Sequence, residues 1–156
     1  MSAVEDRLAE LGLQVPDVSM PVAAYLPAVR DGNHIFTSGQ LPMVSGALAA
    51  TGKVGTGPGL VSAEDAEKLA QICALNAIAA VKALIGDLDK VTRVVKVVGF
   101  VASDPAFTGQ PGVVNGASTL LGEVFGDAGA HARSAVGVAA LPLDAPVEIE
   151  LIVEVA

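Results

Sequence analysis

Clustered basic residues are missing from this sequence. Its nine Lys and Arg are scattered among seventeen Asp and Glu, for a net charge of −8. Phosphate backbones are held by grouped cations, so nucleic acid is a poor partner. A single small anion remains open, because one well-placed arginine can dominate a local site. Cysteine is nearly absent. The lone Cys73 excludes an intramolecular disulfide, which suits a reducing cytoplasm. It falls in an apolar helical pattern and reads as a small buried hydrophobe. The first eleven residues carry Glu5, Asp6 and Glu10, the wrong charge for a secretory leader. The uncharged stretches Gly32–Gly52 and Pro105–Gly122 are broken by Gly, Pro, Ser, Thr and Asn, so neither suits a membrane span. His34 and His131 stand apart, and no metal-ligand spacing is present.

Aromatic residues make up only 3%, yet hydrophobic residues reach 52% and charged ones only 17%. The apolar bulk is therefore Ala, Val, Leu and Ile. A chain of 156 residues fits one domain, here 1–156 with 1–20 as an N-terminal extension. Its interior is too small to hide so much apolar surface, and the excess reads as subunit interface.

Periodicity divides the chain into elements. Ser2 to Leu11 places Val4, Leu8 and Leu11 on one helical stripe. Ala23–Val29 and His34–Thr37 read as two strands about the turn 30–33, with Pro27 marking an edge strand. Gln40–Gly59 reads as a long loop, of a length often functional in compact domains. Ser62-Ala63-Glu64-Asp65 starts a helix that runs to about Ile85 and stops at Gly86. Valines on both faces make Val91–Val101 a central strand. A second helix spans Gly112–Phe125, and strands follow at Ser134–Leu141 and Pro146–Val155. Helices separated by strands predict an α+β sandwich, with two helices on one face of a mixed sheet.

The last strand alternates. Val147, Ile149, Leu151, Val153 and Val155 share one face, and Glu148, Glu150, Ile152 and Glu154 share the other. In the preceding strand Arg133, Ala135, Gly137 and Ala139 alternate with Val136 and Val138, which predicts that the small residues and Arg133 face outward with Glu148. His131 shares the parity of Arg133. A hairpin about Pro142–Ala145 would set Arg133 and Glu148 roughly 20 Å apart along the strands. Either that pairing fails, or a pocket combines Arg133 of one chain with Glu148 of its neighbour.

The tail from His131 to Glu150, with its Arg133-Ser134, Leu141-Pro142 and Val147-Glu148-Ile149-Glu150, resembles the signature of the Rid/YjgF family. Tyr25, the run Thr37-Ser38-Gly39-Gln40-Leu41-Pro42 and Val114-Asn115 match further family segments in order. This resemblance covers about residues 20 to 155. It implies a chorismate-mutase-like fold assembled as a homotrimer, with a pocket at each subunit interface. It also implies hydrolysis of 2-imino or 2-enamino acids to 2-oxo acids and ammonia, with no metal or organic cofactor. Carried over, Arg133 would bind the substrate carboxylate and Glu148 would position or activate water. Tyr25, Ser38, Gly39 and Asn115 would shape the pocket. A planar guanidinium suits a carboxylate, and an electrophilic imine needs little more than held water and one acid–base group. A trimeric binder of small carboxylates, without turnover, is the alternative. The family's older ribonuclease label conflicts with the charge. The sequence departs from the family at Ala135, where a cysteine is frequent. It also departs in the second helix, where Ser118, Thr119 and Leu121 replace aromatics.

Overall fold

The computed structural model describes residues 2–18, 20–21 and 23–156. A five-stranded sheet carries two long helices on one face, as the pattern predicts. Its strands are β1 (Ala28–Asp31), β2 (His34–Thr37), β5 (Val91–Ala102), β6 (Ala132–Val138) and β7 (Val147–Val155), in the order β1-β2-β7-β5-β6. The sheet is mixed: β5 runs parallel to β6 and antiparallel to β7. Helices α2 (Ala63–Ile85) and α3 (Gln110–Phe125) cover it. Ser62 caps α2 by accepting from the backbone N–H of Asp65, and Gly86 at positive φ ends it. Alanines let α2 lie close. Ala66, Ala70, Ala74 and Ala77 are fully buried, together with Cys73.

Three expectations change in detail. The first strand is shorter than Ala23–Val29: pairing begins at Ala28, and only Gly32 and Asn33 form the turn. Pro27 precedes an edge strand, as its missing N–H requires. The loop 40–59 contains a small hairpin, β3 (Met43–Val44) with β4 (Ala47–Leu48), turned by Ser45 and Gly46 at positive φ. The extension is not a loose leader. Helix α1 (Ala3–Glu10) starts in a complete capping box on Ser2 and Glu5, and it buries Val4 and Leu8 in the core.

The largest correction concerns β6 and β7, which do not form a hairpin. β5 lies between them, because the connection through Pro142–Asp144 crosses the end of β5. Backbone bonds from Ser103 to Val138 and from Ala102 to Pro146 tie it there. Arg133 is level with Val97 and Leu151, both buried against the helices. Arg133, Ala135 and Gly137 therefore point to the helix side, opposite to the expected sense. Val136 is outward and 45% exposed. The reason is packing. A Cβ at neighbouring Gly99 would collide with Val114 of α3, and one at Gly137 would lie 2.7 Å from Gln110 Nε2. Small residues are needed beneath α3, so the valines take the other face.

Candidate active site

Two groups of the expected residues come together, on opposite faces of the sheet. The first surrounds Arg133 at the edge strand β6. Its Nη1 donates to Asn115 Oδ1 at 2.7 Å and to Ser118 Oγ at 3.2 Å, and Nη2 donates to the Pro111 carbonyl at 3.3 Å. All three acceptors belong to α3. A guanidinium has five N–H donors. Among the described residues this leaves the Nε–H and one Nη2–H without a partner. A side chain held by three bonds with two donors spare is a preorganised receptor for a planar anion.

Ser118 and His131 complete this group. Residue type alone gave no reason to select Ser118, though its place in a helix where the family has aromatics was a signal. His131 Nε2 lies 2.8 Å from Ser118 Oγ, and Nδ1 lies 2.6 Å from the Gly129 carbonyl.

The second group surrounds Glu148. On β7 the alternation is as expected, with Glu148, Glu150, Ile152 and Glu154 on the open face. β2 pairs with β7 up to Phe36 opposite Ile152, and pairing resumes at Gln40 opposite Ile149. Residues 36–40 thus advance four positions while 152–149 advance three, a bulge that arches Ser38 and Gly39 away from β7. Thr37 Oγ1 fills the gap in the ladder by accepting from the Leu151 N–H at 2.9 Å. Ser38 Oγ donates to the Leu26 carbonyl at 2.6 Å, tying the arch to the segment that carries Tyr25. Tyr25 is 54% exposed. Gly39 lies against the Glu148 side chain, and any Cβ there would strike the carboxylate.

Burial, helped by the neighbouring Glu150, pushes the Glu148 carboxyl above its ordinary range, and no hydrogen bond offsets this. Cys73 lies beneath, wholly buried, with its thiol within 3.6 Å of the Val147 carbonyl. Burial first, then Glu148, drives its pKa well up, so it is an inert thiol.

Within one chain the two groups are apart. Glu148 is level with Phe100 and Val136, three residues along from the row of Arg133 and two strands away. Strand spacing and rise make that roughly 14 Å between Cα atoms. The sheet itself also stands between the side chains. The open face around Glu148 is apolar at its centre and edges: Val29, Phe36 and Val136 are each at least 40% exposed, and Ile152, Val98 and Phe100 are half-buried.

Residues 5–155 match the family described as YjgF/chorismate mutase-like. Protein TCP17 of Trypanosoma cruzi is 41% identical over 152 residues, 97% of this chain and 93% of that protein. The crystal structure of Atu1372 from Agrobacterium tumefaciens, a protein of unknown function, superposes with a TM-score of 0.90 at 48% identity, covering 99% of this chain and 93% of that one. The YjgF gene product of Escherichia coli is more distant, with a TM-score of 0.65 at 29% identity over 88% of this chain and 93% of that one.

Proposed function

Because the chain belongs to the YjgF/chorismate mutase-like family, we propose that it hydrolyses small 2-imino or 2-enamino acids to 2-oxo acids and ammonia, in pockets shared between copies of itself. One observation carries this reading. Arg133 keeps two free guanidinium donors on one face of the sheet, while Glu148, half-buried and without a donor, sits on the other. Each is half of a site. A second copy that brings its β6 edge to the open face of the first would supply the missing half and would cover Phe36, Val29 and Ile152. Edge against face is a heterologous contact, and such contacts end only by closing a ring. A homotrimer is the ring proposed.

In that pocket Arg133 holds the substrate carboxylate and so fixes the adjacent C=N carbon. Glu148 takes a proton from water as its oxygen bonds to that carbon and the C=N electron pair moves to nitrogen, which is protonated. A carboxyl whose basicity is raised by burial is a better base for this step. Collapse of the carbinolamine expels ammonia and leaves the ketone. Side chains and water suffice for these steps.

The competing reading, a binder of small carboxylates without turnover, is favoured by the completeness of the Arg133 cage in the absence of Glu148. An amino-acid oxidase that generates imino acid, coupled to detection of ammonia release, separates the two. Acceleration lost in Arg133→Ala supports the deaminase. No acceleration, with carboxylate binding intact by calorimetry, leaves the binder.

A further inference from the structure

The hydrogen bonds around Ser118 fix which way its hydroxyl points. The Gly129 carbonyl has no proton to give, so the 2.6 Å contact requires that His131 Nδ1 carry one. In neutral imidazole the other nitrogen, Nε2, is then a lone-pair acceptor. The contact of 2.8 Å from Ser118 Oγ to that nitrogen therefore uses the serine proton. Arg133 Nη1, a donor at 3.2 Å, takes one of the two oxygen lone pairs. What remains at Ser118 Oγ is a single lone pair and no proton. Beside the anion-binding fork the protein thus presents a group that accepts and cannot donate.

We propose that Ser118, oriented by His131, selects carboxylates whose neighbouring carbon carries an N–H or O–H, and disfavours those carrying a bare carbonyl oxygen. The proposal rests on the reading of Arg133 as the carboxylate receptor and deepens it. An imino, amino or hydroxy group next to the bound carboxylate offers the donor that Ser118 lacks. A 2-oxo group sets oxygen lone pair against oxygen lone pair, leaving a half-buried acceptor unpaired. For a deaminase the consequence is direct: substrate carries the donor and the oxo-acid product has lost it, so the same contact that favours entry favours release. Ser118 is here a specificity residue in contact with the ligand, and His131 a positioning residue that acts through it.

Calorimetry with lactate and pyruvate, at about pH 8 where imidazoles are neutral, tests this without any turnover. The two acids have the same carbon chain and carboxylate and differ in donor against acceptor on the second carbon. Lactate is expected to bind about three- to tenfold tighter, the range of one net hydrogen bond. Ser118→Ala, a change that helices tolerate well, should bring the ratio to about one, and Ser118→Thr, which keeps the hydroxyl, should retain it. His131→Ala leaves Ser118 in place but frees its proton to turn toward the ligand, and should also abolish the preference. Circular dichroism melts identify any variant that fails to fold, in which case the remaining one decides. Equal binding of both acids by the parent chain, or a preference that survives Ser118→Ala, overturns the proposal. Failure of either acid to bind at all overturns the Arg133 reading and the proposal with it, whereas binding without discrimination overturns the selectivity alone.

Discussion

Replacing Arg133 with lysine keeps a positive charge and discards the fork. One ammonium cannot both satisfy Asn115, Ser118 and the Pro111 carbonyl and present two parallel donors outward. Arg133→Lys should therefore weaken pyruvate binding by about 1–3 kcal/mol, typical of hydrogen bonds to charged groups, with an unchanged melting profile. Calorimetry giving parental affinity would reduce Arg133 to a strut between β6 and α3. Glu148 is tested differently. Glu148→Gln should slow imine hydrolysis about 10²-fold, the low end for loss of a general base, since the imine carbon is already reactive. Glu150→Gln should be nearly silent, because Glu150 shares the face without contacting Gly39. The raised pKa of Glu148 also has a thermodynamic sign. The native state holds this proton more tightly than the unfolded chain. Stability therefore falls as pH rises from the unfolded carboxylate value through the raised folded one. Glu148→Gln removes that loss. It should melt higher than the parent at neutral pH, and the difference should vanish once both carboxyls are protonated. A parent chain that is the more stable at pH 7 would mean that the carboxylate has found a donor.

At the scale of elements, α1 depends on one carboxylate. Asp89 accepts from the first free backbone N–H groups of the helix, Ala3 at 2.9 Å and Val4 at 3.2 Å. Those bonds hold its carboxyl below the usual range. Its contribution is therefore present above the ordinary carboxylate pKa and lost as pH falls through the depressed one. Arg7, which donates to the Val124 carbonyl at 2.9 Å, and the Glu5–Lys82 ion pair hold the rest of α1 to the body. Asp89→Ala should speed amide hydrogen exchange across residues 3–10 without touching β5 and β7. Uniform acceleration throughout the chain would make α1 part of the global folding unit instead. Elements and caps like these were legible in the sequence because Ser2, Ser62, Gly86 and the valine run each act locally. The order of the sheet was not. Nothing in residues 139–146 distinguishes a hairpin from a connection that steps over a third strand. The small residues of β6 have the same spacing whether a helix or another subunit comes close. Only Gly99, one strand over and facing Val114, reveals which. The same limit divided the site: Arg133 and Asn115 were matched as residues and prove to touch, while Ser118 entered only through its contacts with His131 and Arg133.

For the whole molecule, the question is whether one chain or two make a pocket. Mixing variants answers it in a way that single substitutions cannot. Arg133→Ala destroys one half-site and Glu148→Gln the other. If each pocket took both residues from the same chain, every pocket in any mixture would carry one defect, and activity would stay at the sum of the two variants. If a pocket takes Arg133 from one copy and Glu148 from the next, some junctions in a mixed ring pair an intact arginine with an intact glutamate. Random assembly of equal amounts makes that about one junction in four, by the closure rule for heterologous rings. The two variants should therefore be unfolded and refolded together, and light scattering should give the mass of three chains. Imine hydrolysis is expected to recover to about a quarter of the parental rate. A substitution on the open face offers the complementary control. Val136→Glu, at a valine that is 45% exposed in the single chain, places a charge where a covering subunit would have to bury it. It should lower the mass to that of a monomer and abolish the recovery together. Recovery without assembly, or assembly of three chains without recovery, would separate the pocket from the interface and return Arg133 and Glu148 to unrelated roles on two faces of one sheet.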